Sequence, residues 1–404
     1  MIPTETNRTR WIVLILLFAA SFLNYFDRQT LSILKPTIKG EFGLDDSGYS
    51  LLVTAFMVPY VIMYALGGRL SDRWGSRTAM ALFVGFWSAA TMLIGWVRNF
   101  AQLGACRFGL GFAEAGAFPA GIRALSVLFP STQRGFALSV FSAGSAIGSM
   151  VAPPVIAYLA VTHGWRSAFV LPGMAGLVWV GAWLLLTKGG GMATLRDGSP
   201  STPWSDMFRR RELWGMILAR LVSDPVWYFY LFWIPGYLQE RLGLTLTQAG
   251  AVGWIPFLVA DIAGVGITSF SDLLVRRGCN RISSRIRIIM VVAVFAPIAL
   301  VAPNTASVPL FLFIAAVLGA VCTSTMWSSA ALMSEAFPKE AVASMMGVAG
   351  AFGALGGLLF NSQIGRVVDT FGYKPVFVLA ACLHPIAAVI TFLIFRPKTE
   401  SAQQ

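Results

Sequence analysis

Charge is what this sequence has least of. Only 12% of its 404 residues are Asp, Glu, Lys or Arg, about half the ~25% typical of soluble domains. That scarcity excludes a water-soluble globular body. Cysteine is sparse as well. Cys106, Cys279, Cys322 and Cys382 show no metal-ligand spacing, and three fall in apolar stretches, so buried structural thiols are expected. The two histidines lie far apart and in no catalytic motif. No nucleophile–base motif or metal motif is present, so neither an enzyme nor a cofactor is expected. The first apolar run is too long for a cleavable signal peptide and lacks a small-residue cleavage site.

What fills the chain instead is hydrocarbon. Hydrophobic residues make up 56% of it and the mean hydropathy is +0.71. At roughly 20 residues per spanning helix, about a dozen helices fit and little else. Apolar segments can be drawn at 11–34, 47–68, 78–96, 101–122, 136–161, 167–187, 213–238, 247–270, 286–302, 307–334, 341–364 and 375–395. The expected architecture is all-α: twelve transmembrane helices in two pseudo-symmetric six-helix bundles.

The formal charge of +12 raises nucleic-acid binding as one explanation and membrane topology as another. Distribution decides. Alternate loops hold 20 Lys and Arg on the side of both termini and 7 on the other, and the remaining three, Arg28, Arg107 and Arg220, lie inside segments. That asymmetry predicts cytoplasmic N- and C-termini and needs no nucleic acid.

The segments split six and six around a polar stretch with "KGGG", "DGSPSTP" and "RRRE", which reads as a linker. The expected division is a bundle over 1–187, a cytoplasmic linker over 188–212 and a second bundle over 213–404. Internal similarity supports it. Sliding the sequence by 208 lays "HGWRSAFVL" (163–171) on "FGYKPVFVL" (371–379), and Gly148 on Gly356. A shift of 200 lays Ser71-Asp72 on Ser271-Asp272. A duplicated six-helix unit with both termini on one side is the parallel-repeat plan of a secondary transporter.

The loop "GGRLSDRWGSR" (67–77) resembles the signature of the major facilitator superfamily between its second and third helices. The resemblance implies alternation between inward-open and outward-open states, with Gly68, Asp72, Arg73, Gly75 and Arg77 as a conformational latch. Physically, Asp72 can cap a helix or pair with an arginine, and Gly68 permits close helix approach.

Charges inside the spans are functional candidates, because burial there costs at least a few kcal/mol each. They are Asp27 and Arg28 in "NYFDR", Arg107 and Glu114 in the fourth segment, Arg220 and Asp224 in the seventh, and Asp261 in the eighth. At 1.5 Å per residue, Arg28 and Arg107 each lie about 9 Å from the outer end of their helix, and Glu114 is deeper. Seven residues apart, Arg107 and Glu114 share a helix face. Two guanidiniums can grip a carboxylate through charge-assisted bonds. Asp27 and Glu114 are then the candidates for moving protons. The rival reading, salt bridges that merely dock two helices, is weaker because such pairs are poor stabilisers. Arg220 reads as snorkelling, and Asp224, before Pro225, reads either as a helix-break cap or as functional. Tyr25 and Tyr60 could donate hydroxyl bonds to a polyol, or could simply pack. The small residues of "GLGFAEAGAFPAG" (109–121) read as tight helix packing.

"NYFDR", "RFGLGFAEAGAFPA" and the aromatic "DPVWYFYLFWIPGYL" (224–238) together resemble the anion:cation symporter branch of that superfamily, and within it bacterial hexuronate transporters. The resemblance covers essentially the whole chain. It implies proton-driven import of sugar-acid anions, such as glucuronate, galacturonate or aldonates, across a bacterial inner membrane by a monomer. It also implies substrate-binding roles for Tyr25, Arg28, Tyr60, Arg107, Ser324, Trp327 and Asn361, and proton coupling by Asp27 and Glu114. One departure is that some sugar-acid relatives carry a long amide on the fifth helix, where this chain has Ser142 and Ser145. Alternatives are a carrier of smaller carboxylates, a proton-coupled drug antiporter, which paired arginines disfavour, and a transporter-like sensor, for which no added domain is evident.

Overall fold

A computed structural model describes residues 5–188, 204–337 and 339–395. Most of the linker, 189–203, therefore lies outside the described residues, as does the side chain of Asp72. The described residues are mostly helical, without a strand among them. In the first half the helices are α1 (Glu5–Ile33), α2 (Lys35–Phe42), α3 (Asp46–Trp74), α4 (Ser76–Leu93, extended by a 3-10 turn), α5 (Phe100–Leu128), α6 (Ser131–His163) and α7 (Ser167–Leu186). The second half holds α8 (Trp204–Phe208), α9 (Arg211–Glu240), α10 (Leu246–Val252), α11 (Ile255–Arg276), α12 (Arg281–Ala293, followed by a 3-10 stretch, Ala296–Asn304), α13 (Val308–Ala336), α14 (Lys339–Phe371) and α15 (Lys374–Phe395). The expected twelve spans correspond to these, with the eighth made of α10 and α11 and the ninth of α12 and its 3-10 extension.

Among the described residues, ten helices are long and apolar enough to cross a membrane. The remaining two long ones, α5 and α9, carry Arg107 with Glu114 and Arg220 with Asp224. Their apolarity is diluted by the residues that make them chemically distinct.

Helix starts are fixed by polar side chains accepting from freed N–H groups. Asp45 accepts from Gly48 N ahead of α3, and Asn99 from Gln102 N ahead of α5. Thr245 and Gln248 form a reciprocal capping box at α10. The α3–α4 turn needs Gly75, whose φ of 77° disfavours any residue with a Cβ.

The chain divides into two compact units. The first comprises described residues of 1–198, 231–257 and 361–369. In it α1 packs along α6, α3 along α5, and α4 against α5 and α7. Small residues allow this. A Cβ on Gly144 or Gly148 of α6 would overlap the carbonyls of Phe18 or Phe22 of α1, and one on Gly111 of α5 would overlap the carbonyl of Phe56. Lipid offers no hydrophobic drive between helices, so such backbone-to-backbone contact supplies the packing.

At the end of α1 remote from the N-terminus, the first unit holds a charged knot. Lys35 is fully buried and its ammonium lies 2.6 Å from Asp46 and 2.7 Å from Glu240. Lys39 joins the same two acids at 3.0 and 3.1 Å. The Tyr49 and Trp233 rings flank the Lys35 ammonium at 5.2 and 4.5 Å. Burial holds Lys35 below the usual lysine value even against the pull of Glu240 and Asp46. At the less buried Lys39, burial opposes charge too, but its bonds and attraction to Asp46 and Glu240 prevail and raise it. Nearby, Tyr49 donates to the Phe232 carbonyl at 2.7 Å, and Asp369 accepts from Asp46 N and Ser47 N at the start of α3.

The second unit comprises described residues of 199–230, 258–360 and 370–404. Its core gathers Leu213, Met216 and Ile217 of α9 with Ile289, Leu332, Met333, Met345 and Phe395. Gly356 lies where a Cβ would overlap the Leu221 carbonyl. That is the repeat partner of Gly148, doing the same job in its own unit.

Removing one partner of a buried ion pair leaves an uncompensated charge. Lys35→Ala is therefore expected to destabilise the protein by about 3 kcal/mol, and Lys39→Ala by about 1 kcal/mol or less, measured by thermal unfolding in detergent.

Candidate functional site

Successive residues of a helix point about 100° apart, so Asp27 and Arg28 serve different neighbours. Arg28 turns to α5. Its Nε and Nη2 donate to Glu114 Oε2 at 3.1 and 2.9 Å, and Nη2 also donates to Asn24 Oδ1 at 3.1 Å, one turn back on α1. The guanidinium lies against the rings of Tyr25 (4.8 Å), Tyr60 (4.9 Å) and Phe56 (5.6 Å). Asp27 turns instead to α4, where Thr91 Oγ1 donates to its Oδ2 at 3.4 Å. All of these groups belong to the first unit.

Arg107 is wholly buried and its guanidinium lies 4.6 Å from the Phe56 ring centre. Phe56 thus carries both arginines, and it also stacks on Tyr60 at 5.4 Å. Glu114, Arg28 and Asp27 lie within electrostatic reach of Arg107. None of its three guanidinium nitrogens has a hydrogen-bond partner among the described residues, and the same is true of Asp27 Oδ1 and Glu114 Oε1. Buried polar atoms are normally satisfied. Here a five-donor fork and two lone carboxylate oxygens are left unsatisfied together. Such a set can take an anion on the guanidinium and hydroxyl donors on the acids.

The structure therefore brings together Tyr25, Asp27, Arg28, Tyr60, Arg107 and Glu114. The other candidates lie elsewhere. Asn361 also belongs to the first unit, where its side-chain oxygen accepts from the Trp233 indole at 3.0 Å and its carbonyl from Ser50 at 2.6 Å. Ser324 and Trp327 belong to the second unit, the former buried with an unpartnered hydroxyl and the latter 39% exposed. In that unit Arg220 donates twice to Asp224 Oδ2, at 3.0 and 2.8 Å, and Asp261 is half-buried. On α6, Ser145 donates to the Ser142 carbonyl. In the 67–77 loop, Arg77 donates to Thr187 Oγ1 and the Leu184 carbonyl, fastening the start of α4 to the end of α7. Gly68 lies beside Pro119 and Arg73 is exposed.

Three site residues escape a reading of the sequence: Asn24, Phe56 and Thr91. Asn24 alone carried a signal, its i−4 spacing from Arg28. Phe56 and Thr91 sit in apolar runs where packing is the ordinary reading. Among the described residues no group of three or more His, Cys, Asp or Glu could hold a metal.

The helices and the buried charges define a multi-pass membrane carrier. Residues 17–302 and 279–404 match the model of the Major Facilitator Superfamily, and the chain belongs to that family. It is 28% identical to the hexuronate transporter of Escherichia coli (strain K12) over 98% of this chain and 96% of that one. It is 33% identical to a probable L-galactonate transporter of the same organism over 70% and 66%, and 28% identical to a probable galactarate/D-glucarate transporter of Bacillus subtilis (strain 168) over 96% and 92%. Its fold matches a bacterial homologue of the human lysosomal transporter Spinster in an inward-facing, occupied conformation (TM-score 0.79, 18% identity, 96% and 97% covered). It likewise matches a D-xylose–proton symporter (TM-score 0.76, 15% identity, 98% and 99% covered). These relatives are transporters, and this chain is a transporter rather than an enzyme.

Arg28→Ala leaves Glu114 buried and unpaired, a loss expected to cost about 3 kcal/mol. Glu114→Gln in that background should restore most of it. Arg107→Gln removes a charge with no hydrogen-bond partner, so stability should hold or rise although function is lost. Thermal unfolding of the three variants in detergent checks both expectations.

Proposed function

We propose that the protein is a proton-coupled symporter that imports sugar-acid anions, hexuronates or aldonates, through a bacterial inner membrane. The observation that carries this reading is the buried guanidinium of Arg107, unpartnered beside the Arg28–Glu114 pair. The names of the relatives support the same substrate class.

In this reading the substrate carboxylate docks on Arg107 in bidentate fashion. Tyr25 and Tyr60, already ranged around Arg28, meet the hydroxyl-rich body of the sugar. Asp27 and Glu114 carry the protons. A proton on Glu114 weakens its hold on Arg28 and adds a donor to the site. A proton on Asp27 removes a charge whose second oxygen has no partner. Binding of the anion and uptake of a proton then favour each other, because together they restore neutrality among buried charges. Two duplicated halves, 1–187 and 213–404, joined by 188–212, supply alternating access, and Gly68, Asp72, Arg73, Gly75 and Arg77 latch one state. The basic loops orient both termini to the cytoplasm, and the chain acts as a monomer.

In proteoliposomes an inward proton gradient should drive accumulation of galacturonate or glucuronate. Arg107→Ala should reduce uptake at least about 100-fold, the scale of losing a charge-assisted bidentate contact, and Arg28→Ala should do likewise. Glu114→Gln should keep substrate exchange at equal pH but lose gradient-driven accumulation. Normal transport by both arginine variants would refute the reading.

A further inference from the structure

The relatives include carriers named for sugar monoacids and carriers named for diacids, at the same 28% identity. Overall similarity therefore does not separate the two classes. Resting on the sugar-acid reading, we propose that the site admits sugar acids with one carboxylate and rejects sugar diacids.

Two bases and two acids are buried together: Arg28 and Arg107, Asp27 and Glu114. Their donors are unequally committed. Glu114 Oε2 takes both Nε and Nη2 of Arg28, and Asn24 takes Nη2 as well. Arg28 is thus engaged before any ligand arrives. Arg107 keeps all three nitrogens without a hydrogen-bond partner among the described residues. That is one guanidinium fork, the geometric match of one carboxylate.

The other unsatisfied atoms point the same way. Asp27 Oδ1 and Glu114 Oε1 are buried acceptors without donors. A hydroxyl can donate to them, whereas a second carboxylate can only repel them. Other buried cations are already matched with acids: Lys35 with Asp46 and Glu240, and Arg285 with Asp272 and Glu335. Asn24, whose amide oxygen fixes Arg28, cannot compensate an anion. A monoacid with a hydroxylated tail satisfies the set, and the uptake of one proton balances its charge. A diacid needs a second proton and a second guanidinium fork, and the second fork, Arg28, is already held by Glu114 and Asn24.

The cost of an uncompensated charge at membrane depth corresponds to about a 100-fold loss of affinity. The test is calorimetric titration of the purified full-length protein in detergent at pH 7.5 with galacturonate, glucuronate and galactonate, and with galactarate and glucarate. Diacids are expected to bind about 100-fold more weakly than monoacids. Diacid binding equal to or tighter than monoacid binding overturns the proposal. Failure of every sugar acid to bind, or equal binding of neutral galactose, overturns instead the sugar-acid reading on which it rests. Glu114→Gln releases Arg28 from its ion pair and should narrow the gap to about tenfold or less. An unchanged gap in that variant removes the Arg28–Glu114 pair as its cause.

Discussion

A guanidinium in hydrocarbon is costly unless an acid meets it, and the pairing of Arg28 with Glu114 is where this chain answers that cost. The bond joins α1 to α5. It determines which way the NYFDR turn faces, and so sends the neighbouring Asp27 toward α4. It also sets the two arginines apart. One is held by an acid and an amide, and the other rests only on an aromatic ring. The contrast between an engaged and an unengaged guanidinium, more than the presence of two, gives the site its chemistry.

The precision of that arrangement comes from backbones in contact. Gly111 brings α5 onto the Phe56 carbonyl, and Gly67 of α3 meets Gly116 of α5. With the two helices so close, Phe56 is fixed under both guanidiniums. The same construction recurs in each half of the duplicated sequence, where Gly148 seats on Phe22 and Gly356 on Leu221. The glycine seams match at these two positions, while the charges of the two units differ. The first unit has paired arginines and acids; the second has an Arg220–Asp224 pair within a single helix and a run of buried hydroxyls on α13.

Much of the fold was legible because hydrophobic runs long enough for a bilayer have few other uses. Even α5 and α9, whose charges dilute their apolarity, stood out as apolar segments. Depth counting placed Arg28 and Arg107 together. The partner of Arg28 was not legible: helical rotation turns the adjacent Asp27 away, and only the packing of α1 on α5 chooses Glu114. The Asn361 amide sits in an apolar run, and the structure gives it the Trp233 indole. Phe56 was invisible because a phenylalanine among apolar residues carries no mark of its neighbours. Lys35 was counted merely as one of the few basic residues on the sparse side, since nothing local shows that Asp46 and Glu240 converge on it.

The position of Lys35 links these features. It follows Arg28 by seven residues, about 10 Å along a helical path, across the short break at Leu34 between α1 and α2. One end of this rod is held at Glu114 and the other at Glu240 and Asp46. A rod pinned at two points can swing only by loosening one of them. The Arg28–Glu114 pair and the Lys35 knot thus tie the end of α1 and the start of α2 to their neighbours at two points about two helical turns apart.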